Sequence, residues 1–166
     1  MISTFLAEHP WTIWMVLAGM VVVGSFAASW LDSRRRLTRV LLAASLLLVV
    51  ALTLLPDDRE VTTGCQIAWS LPTFSGPESL ANITLFIPFA LLAAVAWRRP
   101  WLAGLAGVGL SMGIETAQAL LPSIGRSCDS HDIIANSIGA ALGAVLAAIG
   151  MSSRIRRSAQ IRTNRA

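Results

Sequence analysis

Apolar residues along the chain gather into five long runs divided by polar breaks, and this pattern sets the first expectation. The runs cover roughly 11–30, 38–55, 80–97, 101–121 and 132–150, each near the ~20 residues that a helix needs to cross a ~30 Å hydrocarbon layer. Three breaks are short: 31–37 (LDSRRRL), 98–100 (RRP) and 122–131. The fourth, 56–79 (PDDREVTTGCQIAWSLPTFSGPES), is too polar to span and too rich in Pro and Gly to form one long helix. Its Trp69, Leu71 and Phe74 are expected to rest on the bilayer surface, where amphipathic rings settle. The pattern predicts an all-α membrane protein, a five-transmembrane-helix bundle.

Composition agrees, since 55% of the 166 residues are apolar and 13% charged, more apolar surface than one small soluble core needs. All thirteen basic residues are Arg, a bias that points to a GC-rich genome more than to chemistry. Their placement is informative. Eleven (Arg34, Arg35, Arg36, Arg39, Arg98, Arg99, Arg154, Arg156, Arg157, Arg162 and Arg165) fall on one side of the expected bundle and two, Arg59 and Arg126, on the other. Basic loops stay on the cytoplasmic side, so the N-terminus is expected outside and the C-terminus in the cytoplasm. The small-residue stretch Ala27-Ala28-Ser29 resembles a signal-peptide end, but the basic cluster follows the apolar run, which reads as a retained, inverted anchor. Residues 1–36 are accordingly taken as an anchor, 37–150 as a four-helix membrane domain and 151–166 as a basic cytoplasmic tail held at anionic headgroups.

The scarce polar residues inside the runs are unevenly placed. Ser111, Glu115 and Gln118 recur at i, i+4, i+7 on one face of the fourth helix; Asp132, Asn136, Gly139 and Gly143 recur at i, i+4, i+7, i+11 on the fifth. At 1.5 Å per residue, Glu115 and Gln118 lie roughly 9 Å and 5 Å below Leu121. Asn82, near the outer start of the third helix, reaches the same level. Gly139-x-x-x-Gly143 and Gly109-x-x-x-Gly113 are both spaced for close helix contact, and Pro88 is expected to kink the third helix and free the carbonyl of Thr84. These placements predict an internal polar pocket near the outer leaflet formed by Asn82, Glu115, Gln118, Arg126, Asp129, Asp132 and Asn136. Arg126 is expected to neutralise Glu115, or Asp129 and Asp132 at the rim. Cys65 and Cys128 both fall in outer connections, where disulfides persist, and are expected to pair.

The ordered set Asn82, Leu85-Phe86-Ile87-Pro88-Phe89, Glu115-x-x-Gln118 and Arg126-x-x-Asp129-x-x-Asp132-x-x-x-Asn136-x-x-Gly139-x-x-x-Gly143 resembles the VanZ-like family of small bacterial membrane proteins. The resemblance covers roughly 56–149. It implies a multi-pass envelope protein of the bacterial cytoplasmic membrane, with a named relative associated with resistance to the glycopeptide teicoplanin. It carries no reaction and no role for His131.

Several chemistries fit the polar residues. Asn82, Gln118 and Asn136 serve equally as interhelical hydrogen bonds. Glu115 and Asp132, one buried and one near water, are the candidate pair for general acid/base catalysis. No cofactor is expected. A metal site is not expected either: there is no H-E-x-x-H pattern, and His9 lies far along the chain from His131. Neither Ser127 nor Ser130 sits in a G-x-S-x-G turn. The leading expectation is a non-enzymatic factor that binds a lipid-linked or lipid-tailed ligand from the outer leaflet. Its expected partners are membrane lipids, lipid-linked envelope precursors or a lipoglycopeptide, not nucleic acid. A membrane enzyme acting on such a substrate comes second. A proton-coupled carrier or flippase comes third, disfavoured because polar groups thin out below Asn136.

Overall fold

The structure is a computed structural model and describes residues 11–56, 65–67 and 77–163. Trp69, Leu71, Phe74, Arg59 and Arg165 lie outside these residues. Five long helices follow one another: α1 (Trp11–Leu31), α2 (Arg35–Leu54), α3 (Pro77–Trp97), α4 (Pro100–Leu120) and α5 (Ser130–Thr163). Two short strands, β1 (Cys65–Gln66) and β2 (Cys128–Asp129), pair in parallel, with Cys65 opposite Cys128 and Gln66 opposite Asp129.

Among the described residues, four helices are long and apolar enough to cross a membrane, through Trp14–Leu31, Arg35–Leu54, Glu78–Trp97 and Ser130–Ser153. The fourth expected span, now α4, is equally long but less apolar, because Glu115, Thr116 and Gln118 break its last third. The chain is a helical membrane protein. Its last helix runs on to Thr163, through most of the arginine-rich tail.

α3 is the central post. Of its apolar window 61% is buried, against 11% for α2, and its contact with α5 is the most extensive in the bundle. Hydrophobic burial does little to hold helices together in lipid, so close approach and dispersion must. The sequence provides this on α5. A Cβ at Gly139 would strike the carbonyl oxygen of Ile83, and one at Gly143 that of Ile87. Only hydrogen fits at either position. On α4 the expectation fails: nothing lies within 4 Å of a Cβ built at Gly109 or Gly113, and both are exposed. The packed face of α4 is instead Ala103, Gly107, Ser111, Ile114, Glu115 and Gln118, and Gly107 meets Ala140. Two GxxxG patterns were available, and the buried polar stripe decided the rotation of α4. Pro88 lies inside α3, which continues through it to Trp97.

A second cluster of Val49, Phe86, Phe89, Ala90, Ile114 and Ala140 joins α2 to α3, α4 and α5. At the arginine-rich end, Thr38 ties α1 to α2 by donating to the carbonyls of Leu31 and Arg34 at 3.0 and 3.1 Å.

Candidate functional site

The polar stripe of α4 turns inward at the end of the bundle that holds the two strands. Asn136 of α5 is 2% exposed, and its Nδ2 donates to Ser111 Oγ at 3.0 Å. Gln118 Nε2 donates to the carbonyl of Thr53, in the last turn of α2, at 3.0 Å. Asn82 of α3 hydrogen-bonds the carboxylate of Asp132 on α5. Side chains of α3, α4 and α5 and the backbone of α2 therefore meet at one level, as the helical spacing predicts.

Glu115 is 3% exposed. A charge there is tolerable only if it is hydrogen-bonded, neutralised or wetted. Its Oε2 accepts the backbone N–H of Asp129 at 2.8 Å. That donor belongs to β2, and β2 is held by the Cys65–Cys128 disulfide, with the Cα atoms 4.5 Å apart. The disulfide expected from the sequence thus forms one residue away from the group that binds the buried carboxylate. Asp129 then caps α5: its Oδ1 accepts the His131 N–H at 2.8 Å, the geometry of an N-cap side chain. His131 Nδ1 lies 3.8 Å from the same oxygen.

Arg126 does not take the role expected of it. Its Nε donates to the carbonyl of Leu55 at 3.4 Å, and among the described residues it forms no ion pair with Glu115, Asp129 or Asp132. The physical reason is local. Leu55 is the C-cap of α2, where carbonyls lack intrahelical donors and the helix dipole is negative. The 3-10 turn Pro122–Ile124 and the left-handed Gly125 (φ 66°) bring the chain past that point. A backbone N–H therefore gives Glu115 a hydrogen-bond donor, without the charge neutralisation expected of a guanidinium.

Two acceptors have no hydrogen-bond partner among the described residues, Gln118 Oε1 and Asn136 Oδ1. Both belong to buried side chains, and a buried carbonyl left without a donor is unfavourable by about 1–3 kcal/mol. Glu115, Asp129, Asp132 and these amide oxygens make this end of the bundle rich in hydrogen-bond acceptors. No group of three or more His, Cys, Asp or Glu is placed to hold a metal ion among the described residues. Sequence reasoning missed the carbonyls of Thr53 and Leu55, which no residue type signals. It noted Ser111 on the polar face but not as the partner of Asn136, although the two share one depth on adjacent helices.

The model of the VanZ/LLP1 family matches residues 11–151. Neither a curated protein nor a solved structure matches the chain. The family match begins at the first residue of α1, well before the motif-bearing 56–149, so the first helix is part of the family unit. With the first four helices, the strand-tied polar end and the first two thirds of α5 inside the match, the chain belongs to the VanZ/LLP1 family.

Proposed function

We propose that this chain is a cell-envelope protein of the bacterial cytoplasmic membrane with five crossings, its N-terminus outside and its C-terminus cytoplasmic. Its polar end faces outward and binds the head of a lipid-linked or lipid-tailed molecule. The observation that carries this reading is the Glu115 carboxylate, buried and held by the Asp129 N–H, beside two buried amide oxygens that lack donors. The part-exposed carboxylates of Asp129 and Asp132 put acceptors within reach of a headgroup's donors at the rim, above the buried oxygens. Exposed Leu55, Ile67, Leu120 and Leu121 lie at the same end and offer apolar surface to an acyl chain. The arginine asymmetry supports the orientation. Family membership supports a contribution to resistance against glycopeptides of the teicoplanin type, through binding and without turnover.

The test is Glu115→Gln and Asp132→Asn in cells, scored for glycopeptide susceptibility, membrane abundance and turnover of lipid-linked precursors. Loss of resistance at normal abundance and unchanged turnover is expected. A fall in abundance matching the loss would make the site structural, and altered precursor turnover would make the chain an enzyme. A periplasm-active reporter fused at Ser152 would reverse the orientation.

A further inference from the structure

The opposite end of the bundle holds a cleft of its own. The α1–α2 and α3–α4 connections enclose about 110 Å³ of space whose walls include Asp32, Arg35, Thr38, Arg39, Trp97 and Arg98. Three guanidinium side chains line it against one carboxylate, and that carboxylate is engaged: Arg98 Nη2 donates to Asp32 Oδ1 at 2.7 Å. Neither Arg35 nor Arg39 has an acidic partner among the described residues. An arginine in one ion pair still has N–H groups to offer, since the guanidinium carries five in a rigid fork.

Three further features mark this as a built place. Arg98 has φ 56°, the one positive φ outside glycine among the described residues. It is the residue just past the end of α3, where a left-handed residue commonly terminates a helix, and its side chain is held there by the Asp32 ion pair. The hydroxyl of Thr38 is spent on the Leu31 and Arg34 carbonyls and fixes the wall without competing for a ligand. The first turn of α2 also has no side-chain cap, which leaves its positive end facing the same region.

The depth of the cleft is given by tryptophan. Trp30, Trp97 and Trp101 are exposed beside these connections, and Arg34 stacks on Trp30 with 3.6 Å between the guanidinium carbon and the ring centroid. Exposed indoles settle at headgroup level. An orientation signal accounts for arginines near a helix end, but it does not require a cleft or an ion pair that joins the two connections across it.

We propose that this cleft binds the phosphate of an anionic membrane lipid, with Arg35 and Arg39 as its direct ligands and Arg98, positioned by Asp32, as the third. Basic pockets between helices on the arginine-rich side of a membrane have the chemistry to recognise such headgroups.

The probe is phosphatidylglycerol, titrated into the full chain purified in neutral detergent, with binding read by native mass spectrometry and by thermal protection. Arg35→Gln/Arg39→Gln is compared with Arg36→Gln/Arg99→Gln, which removes equal charge outside the cleft. The first pair is expected to weaken phosphatidylglycerol binding roughly tenfold or more and the second less than about twofold. Should the first pair fail to accumulate, Arg39→Gln alone is expected to weaken binding roughly fivefold. Equal weakening by both pairs would reduce the cleft to diffuse charge and overturn the proposal. So would binding of phosphatidylcholine as tight as that of phosphatidylglycerol. Protection by inorganic phosphate equal to that by the lipid would overturn the lipid in favour of a free anion.

Discussion

At one end of the bundle the polar groups are carboxylates and amides drawn below the surface, with Glu115 3% exposed and Asn136 2%. At the other they are guanidiniums that stand outward, the Arg98 side chain being 57% exposed. The first arrangement demands precise support. A buried carboxylate is tolerable only with a donor in place, and here that donor hangs on a two-residue strand, a disulfide and an N-cap. The second demands little, because a long cationic side chain reaches water or a lipid phosphate from many backbone positions. In this fold the acidic end is made by tertiary structure, whereas the basic end is largely made by composition. Arg98, the arginine with an unusual backbone, is the exception.

The largest effect should come from the strap. Cys65 and Cys128 are separated by 63 residues, so opening the bridge by Cys65→Ser/Cys128→Ser should destabilise the chain by up to about 4 kcal/mol in the chain-entropy model. The loss should appear first as protease nicking near β1 while the arginine-rich end stays protected. Uniform nicking at both ends would show that they are not independent.

The α3–α5 seam joins the two ends, and Gly139→Val should damage both at once, by about 1–3 kcal/mol or more, because the new side chain meets backbone at Ile83. Gly109→Val and Gly113→Val should leave detergent-phase thermal stability within about 0.5 kcal/mol of the original. A large loss at Gly113 would show that its face of α4 is packed after all.

Smaller effects separate the ends more finely. Arg98→Gln removes a part-exposed ion pair and should change stability by about 0.2–1 kcal/mol, less at high salt. Gln118→Leu deletes one interhelical bond, worth about 0.6 kcal/mol on average in membranes, and also removes an acceptor that lacks a donor. Its thermal stability should therefore be nearly unchanged or slightly raised. A loss of several kcal/mol there would mean that Gln118 Oε1 has a partner essential to the fold.

Helix number, the depth shared by Asn82, Glu115, Gln118 and Asn136, and the pairing of Cys65 with Cys128 were all legible before the structure. Hydropathy runs, 3.6-residue periodicity and the positions of the two cysteines in connections between runs are local properties that one chain displays in order. Other features were not local. Arg126 reaches the C-terminal carbonyls of α2 because the Pro122–Ile124 turn and Gly125 route it there. Glu115 takes a backbone N–H from a strand that exists only through its partner strand. The rotation of α4, which left Gly109 and Gly113 facing outward and Gly107 against Ala140, depended on which neighbour could accept its polar stripe. The sequence by itself determined that polar groups gather at one level of an apolar bundle, because periodicity sets depth and face along each helix. Tertiary structure decided which groups touch, because relative rotation and loop path come from the packing of all the helices together and are written in no single one of them.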